Sequence, residues 1–114
     1  MIQFVNVSKV FPNGAVGIEH ANLEIEKGEF ITLVGPSGAG KTTITKFISG
    51  EEDPTEGTVL FDNVDLQSYS TAELTNLRRR IGTVFQEFRL LPNKTAYENI
   101  AFAMEAAGKS EEEI

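Results

Sequence analysis

The sequence contains no cysteine, and its one histidine is His20. Disulfides and thiolate metal sites are therefore excluded, and one histidine cannot build a histidine-rich metal centre. A reducing compartment is compatible with this composition. Positive charge is scarce as well. Ten Lys and Arg stand against seventeen Asp and Glu, a formal charge of −7, which repels nucleic acid unless the basic residues cluster strongly on one face. No DNA or RNA partner is expected. No run approaches the roughly 18 apolar residues of a spanning helix, and the start Met1-Ile2-Gln3-Phe4 lacks the basic and apolar regions of a secretory signal. The expectation is a chain with neither membrane span nor export signal. Internal repeats, low-complexity tracts and linkers are missing too. The 114 residues, 40% of them hydrophobic, read as one domain or part of one.

What is present is a change of period along the chain. Residues 2–7 and 18–25 read as short strands separated by the turn signal Pro12-Asn13-Gly14, an antiparallel beginning. Residues 30–34, Phe-Ile-Thr-Leu-Val, form a β-branched, mostly apolar run expected in the middle of a sheet covered on both faces. Ile44, Phe47 and Ile48 then fall at helical spacing, with Gly50 placed as a C′ residue. Asp53-Pro54-Thr55-Glu56-Gly57 is a turn cluster, residues 58–61 a strand, and residues 81–85 a further strand. Ser70-Thr71-Ala72-Glu73 and Thr95-Ala96-Tyr97-Glu98 are capping boxes that open helices, the second ending at Gly108. Ser110-Glu111-Glu112-Glu113 is a third box, whose glutamates suit the positive end of a helix dipole.

Between the strand expected over residues 30–34 and the following helix stands Gly35-Pro36-Ser37-Gly38-Ala39-Gly40-Lys41-Thr42, which matches G-x-x-x-x-G-K-[ST]. Small residues there let backbone N–H groups converge on phosphate oxygens, and Gly38 and Gly40 supply the permissive backbone. Lys41 can reach the β- and γ-phosphates as a mobile point charge. The Thr42 hydroxyl can ligate Mg²⁺, and the helix presents its N-terminus to the anion. A plain glycine turn is the alternative, and the order strand, loop, helix favours phosphate binding. The expected ligands are ATP and Mg²⁺.

Three other features invite a functional reading that the residues do not support. Val59-Leu60-Phe61-Asp62 has the form of a hydrophobic run ending in a metal-binding aspartate, yet Asn63 follows, and a hairpin turn fits better. The adjacent Arg78, Arg79 and Arg80 read as a solvated helix end whose cations complement the dipole. His20 has no acid at a suggestive spacing and is read as a surface or edge residue.

Residues 35–43, followed by Leu77-Arg78-Arg79-Arg80-Ile81-Gly82-Thr83-Val84-Phe85-Gln86, resemble the N-terminal half of an ABC-type ATPase domain, and the resemblance covers nearly the whole chain. It implies an α/β, P-loop NTPase fold: an antiparallel β subdomain plus the phosphate-loop strand and helix, stopping before the helical subdomain. It also implies that Gln86 is the Q-loop glutamine, which touches Mg²⁺ and the attacking water and relays nucleotide state to a membrane partner. Lys41 and Gln86 are thus the catalytic candidates, and Thr42 and Gln86 the metal ligands. Phe11 matches the aromatic that stacks on adenine, Val16 lies near the ribose side, and residues Gly35, Pro36, Ser37, Gly38, Ala39, Gly40, Lys41, Thr42 and Thr43 cradle the phosphates. Within the family the chain is similar to the FtsE group of cell-division ATP-binding proteins, through residues 35–41, 85–92 and 97–103. That group works as a homodimer on the cytoplasmic face of the plasma membrane beneath the membrane protein FtsX. Thr42 and Glu87, in place of a common serine and aspartate, do not separate it from lipoprotein-release or methionine-import ATPases.

The family's signature motif, its Walker B aspartate with the catalytic glutamate, and its switch histidine do not occur in residues 1–114. The chain is therefore expected to be a partial ABC ATPase domain. A missing general base is worth about 10²- to 10⁴-fold in rate, so nucleotide binding with negligible turnover is expected. A strand at residues 30–34 without its flanking strands would expose apolar edges. Two further readings stay open. A small P-loop kinase would need an arginine-rich lid, for which residues 78–80 are the one candidate, set directly before an expected strand. The other is a non-catalytic nucleotide-binding module.

Overall fold

The structure, a computed structural model, describes residues 1–37 and 40–114. The chain forms two compact units, Met1–Thr75 and Asn76–Ile114.

In the first unit, β1 (Ile2–Val10) and β2 (Val16–Ile25) make an antiparallel hairpin in which Ile2 faces Ile25 and Val10 faces Val16. β3 (Glu56–Phe61) runs along the other side of β1, and the short β4 (Val64–Asp65) completes the order β2-β1-β3-β4. Both leading strands are longer than alternation predicts, because β1 contains irregularities that alternation cannot anticipate. Phe4 and Val7 are both buried although three residues apart, a spacing that puts side chains on opposite faces of a regular strand. Register shifts between these positions absorb the extra residue. Asn6 there adopts φ 50° and donates its N–H to Asn22 Oδ1 at 2.9 Å. On β3 the facing position is Gly57, φ 83°, where a Cβ would overlap the carbonyl oxygen of Asn6. Glycine is required by the close approach of two backbones.

α1 (Lys41–Ile48) lays Phe47 against the sheet. The rings of Phe47 and Phe4 meet edge to face, centroids 5.9 Å apart at 71°, the geometry that aligns a ring's positive edge with a neighbour's negative face. Val7, Val59 and Leu66 are buried with them. Gly50, at φ 71°, returns its N–H to Phe47 O at 3.2 Å, as the C′ reading expects. Asp62 and Asn63 sit between β3 and β4 with φ 48° and 65°, the paired positive values of a hairpin turn whose twist matches its strands. The Asp62 carboxylate accepts from the Met1 amine at 2.7 Å. The hairpin reading of residues 59–65 is therefore the observed one.

Two expected strands are not formed. Residues 30–34 and 81–85 lie outside the sheet, and Phe30 and Val84 are 95% and 101% exposed. Their composition suits a doubly covered strand, but a strand exists only where another backbone completes its ladder, and composition does not supply that partner.

α2 (Thr71–Arg79) opens on the first capping box: Ser70 N–H donates to Glu73 Oε2 at 2.6 Å, and Glu73 N–H to Ser70 Oγ at 3.2 Å. In the second unit α3 (Ala96–Ala106) opens on the other. Thr95 N–H donates to Glu98 Oε2 at 2.7 Å and Glu98 N–H to Thr95 Oγ1 at 3.1 Å. Asn99, one turn in, fastens the preceding loop by accepting from Leu91 N–H at 2.7 Å and donating to Thr95 O at 2.9 Å. Residues 111–113 make a turn rather than a helix. The Ser110 N–H and the Lys109 ammonium hold the Glu113 carboxyl below the usual carboxylate range. Thr95→Ala, which removes one half of a reciprocal cap, is expected to lower stability by about 1 kcal/mol, and Thr95→Ser by much less. Urea unfolding followed by helical circular dichroism measures both, and equal losses would show that the hydroxyl is not the cap.

Candidate functional site

α1 begins differently from the other helices. Its N-cap is Gly40, at φ 92° and ψ 6°, with no side chain to accept from the first turn, and that turn carries no acidic residue. The first intrahelical bond runs from Ile44 N–H to Gly40 O at 3.1 Å. The N–H groups of Lys41, Thr42 and Thr43 precede it and so lack an intrahelical acceptor. Four consecutive residues thus combine backbone donors, a helix dipole and an ammonium group, with a hydroxyl at Thr42. This donor set suits a phosphate chain with a hard divalent cation, since it lacks the nitrogen and sulfur ligands that softer metals select.

Gly40 is fixed by packing as well as by φ. A Cβ there would overlap Gly17 O and lie 3.0 Å from Ile18 Cγ1. The entry to α1 therefore presses directly on β2. Lys41 reaches back upstream, its ammonium donating to Gly35 O and, at 3.1 Å, to Pro36 O. The lysine is folded back on its own loop, its charge balanced by carbonyl dipoles that an anion's oxygens would replace. Thr42 is exposed, and its carbonyl accepts from Thr45 Oγ1 at 2.7 Å. Thr43 is buried. Gly38 and Ala39 lie outside the described residues.

The β1–β2 hairpin brings the aromatic candidate to the same end of α1. Phe11 N–H donates to Ala15 O at 2.9 Å and Gly14 N–H to Phe11 O at 2.8 Å, closing the turn that leads into Val16, which is exposed. A Cβ on Gly17 would stand 2.8 Å from Phe11 Cε2 and 3.4 Å from Thr43 Oγ1, so the half-buried ring, β2 and the first turn of α1 meet at one point. Phe11, Gly40, Lys41, Thr42 and Thr43 are in this way gathered in the first unit. Gln86 belongs to the second. It is exposed on a bend, in a segment where Arg89 stacks its guanidinium 3.9 Å from the Phe85 ring centroid.

Gly17 lies outside every motif, and its one sequence signal is that of a lone glycine inside a strand pattern, which marks a close approach. Lys9 too lies outside every motif. It pairs with Glu52 Oε2 at 3.1 Å and lies 5.6 Å from the Phe11 ring centroid. No local signal marks this, since its partner is 43 positions away.

Residues 18–114 match the family model described as ABC transporter. The cell division ATP-binding protein FtsE of Bacillus subtilis is 46% identical over 96% of this chain and 48% of its own length. The phosphonates import ATP-binding protein PhnC of Lactococcus lactis subsp. cremoris is 41% identical over 90% of this chain and 42% of its own length. The methionine import ATP-binding protein MetN 1 of Bacillus thuringiensis is 43% identical over 100% of this chain and 34% of its own. The chain thus spans half or less of the length of these relatives. A dimeric ATP-binding cassette in a post-hydrolysis state, bound to ADP and Pi, superposes with a TM-score of 0.86 at 38% identity, over 99% of this chain and 52% of the cassette.

Proposed function

The chain belongs to the ABC transporter ATP-binding family, and on that footing we propose that it binds MgATP through residues 35–43, as the nucleotide-binding part of an ATPase of the FtsE kind. Lys41 leaves the carbonyls of Gly35 and Pro36 for the β- and γ-phosphates, and the N–H groups that open α1 cradle the remaining oxygens. Thr42 contributes the Mg²⁺ ligand, while Gly35, Pro36, Ser37, Gly38, Ala39 and Gly40 let the backbone come close. Phe11 stacks on the adenine with Val16 toward the ribose, and Gln86 is the second metal contact and the link to a membrane-embedded partner of the FtsX kind. Bound Mg²⁺ would neutralise charge on the phosphates. The residues here position and hold, so the proposed activity of this chain is binding with negligible turnover. The proposed setting is peripheral, at the cytoplasmic face of the membrane and in homodimers of the whole protein, with no nucleic acid.

The observation that carries this reading is the uncapped, acid-free start of α1, with Lys41 and Phe11 converging on it. The comparable likeness to phosphonate and methionine importers supports a second reading, an import ATPase of the same mechanism. Titration of the chain with ATP, with and without Mg²⁺, tests the site. Saturable binding that weakens about tenfold in EDTA, with the Mg²⁺ increment lost in Thr42→Val, is expected. Binding with no Mg²⁺ dependence would remove Thr42 from the site, and no binding at all would remove the proposal. Co-purification of the whole protein with an FtsX-type protein, rather than an import permease, separates the two partners.

A further inference from the structure

We infer that Lys9 is a positioning residue for nucleotide, holding the Phe11 ring in register with the N-terminus of α1. This inference rests on the adenine-stacking role proposed for Phe11. Lys9 precedes Phe11 by two residues at the end of β1, and its side chain is only 15% exposed. Its ammonium is held at three points: it donates to Asp53 O at 2.8 Å, pairs with Glu52 Oε2 at 3.1 Å, and stands 5.6 Å from the Phe11 ring centroid. That last separation is within the reach of a cation–π contact.

The anchors matter because of where they lie. Glu52 and Asp53 lie in the turn just past α1, four and five residues beyond Ile48, and the N–H groups of Glu51 and Glu52 return to Lys46 O. Two further bonds fasten the same junction: Thr55 N–H donates to Ser8 O at 2.8 Å, and Val10 N–H to Thr55 Oγ1 at 3.0 Å. The exit of α1 is thereby tied to the β1 residues on the near side of Phe11. Its entry is pressed against the far side, where Gly40 meets Gly17 and where Phe11 and Thr43 both border the space a Gly17 Cβ would take. The hairpin carrying Phe11 is thus gripped at both ends of the helix that carries the phosphate site. Lys9 belongs to that grip and also reaches the ring, its ammonium 5.6 Å from the centroid. Removing it leaves the phosphate donors in place and frees the ring to leave the stacking position, an ordering cost then borne on binding.

The experiment measures dissociation constants of MgATP and of Mg-tripolyphosphate for the whole chain. The proteins are the parent, Lys9→Met, Lys9→Arg, Glu52→Gln, Phe11→Ala and the Lys9→Met/Phe11→Ala double variant. Lys9→Met is expected to weaken ATP by about three- to tenfold and to leave tripolyphosphate within about twofold of parent. Lys9→Arg, which retains charge and both anchors, restores most of the loss. Glu52→Gln, a milder change should Lys9→Met fold poorly, gives a smaller loss confined to ATP. In the Phe11→Ala background Lys9→Met adds nothing, because its effect passes through the ring. Equal weakening of ATP and tripolyphosphate, an unchanged ATP affinity, or additive effects in the double variant would overturn the inference. If Phe11→Ala shifts ATP relative to tripolyphosphate while Lys9→Met does not, this inference alone fails. If Phe11→Ala leaves that ratio unchanged, the stacking role fails and this inference with it.

Discussion

Lys41→Ala is expected to weaken MgATP binding by about a hundredfold. A charge-assisted hydrogen bond contributes about 1.5–3 kcal/mol, and each 1.4 kcal/mol is a factor of ten. In the proposed site Lys41 would offer its ammonium to two phosphates, which alone would imply a larger loss. The offset is visible in the structure: the ammonium already bonds Gly35 O and Pro36 O, so binding exchanges partners rather than creating them. The neutral variant also leaves two loop carbonyls without that donor, both near solvent, where water replaces it at little cost. The thermal midpoint should therefore move by only a few degrees, on the order of 1 kcal/mol. Displacement of a fluorescent ATP analogue measures the affinity. Equal constants for parent and variant would remove Lys41 from the site.

Phe47→Ala is expected to be the most damaging single truncation. Removing a buried phenylalanine costs about 3–5 kcal/mol, and the edge-to-face pair with Phe4 is lost with it. The buried large apolar side chains among the described residues of the first unit are few, Phe4, Val7, Phe47, Val59 and Leu66, while whole domains are stable by only about 5–15 kcal/mol. Phe47 is also the buried apolar anchor of α1, so the proposed phosphate site should be lost with the helix. Phe47→Leu should cost about half as much, because it refills most of the volume. Phe30→Ser, the same residue type at an exposed position, should be close to neutral. Urea midpoints of the three variants check this, and a Phe47→Ala effect no larger than that of Phe30→Ser would show that α1 is not anchored by its buried face.

Legibility from the sequence followed the range of the forces involved. Capping boxes at Ser70 and Thr95 were readable because both partners lie within three residues and the bonds form wherever the helix does. The turn at Asp62 and Asn63 was readable for the same reason, and it decided between a hairpin and a metal-binding aspartate. Strands over residues 30–34 and 81–85 were inferred from composition and did not form, since their completion depends on a partner backbone that no local pattern encodes. The bulge at Asn6, which carries Phe4 and Val7 to one face, also escaped alternation. It faces the close approach of β3 at Gly57, 51 positions on.

The candidate site divides along the same line. The sequence by itself determined the G-x-x-x-x-G-K-[ST] pattern of residues 35–42, the helix after it and the family to which the chain belongs, because these are written in consecutive residues. Only the tertiary structure decided that Phe11 lies beside the start of α1, that Gly40 is glycine because the Gly17 carbonyl stands where its Cβ would be, and that Lys9 joins the aromatic to the exit of the helix. Those relations join residues from 23 to 44 positions apart, and they arise from packing one surface on another, which no spacing along the chain specifies.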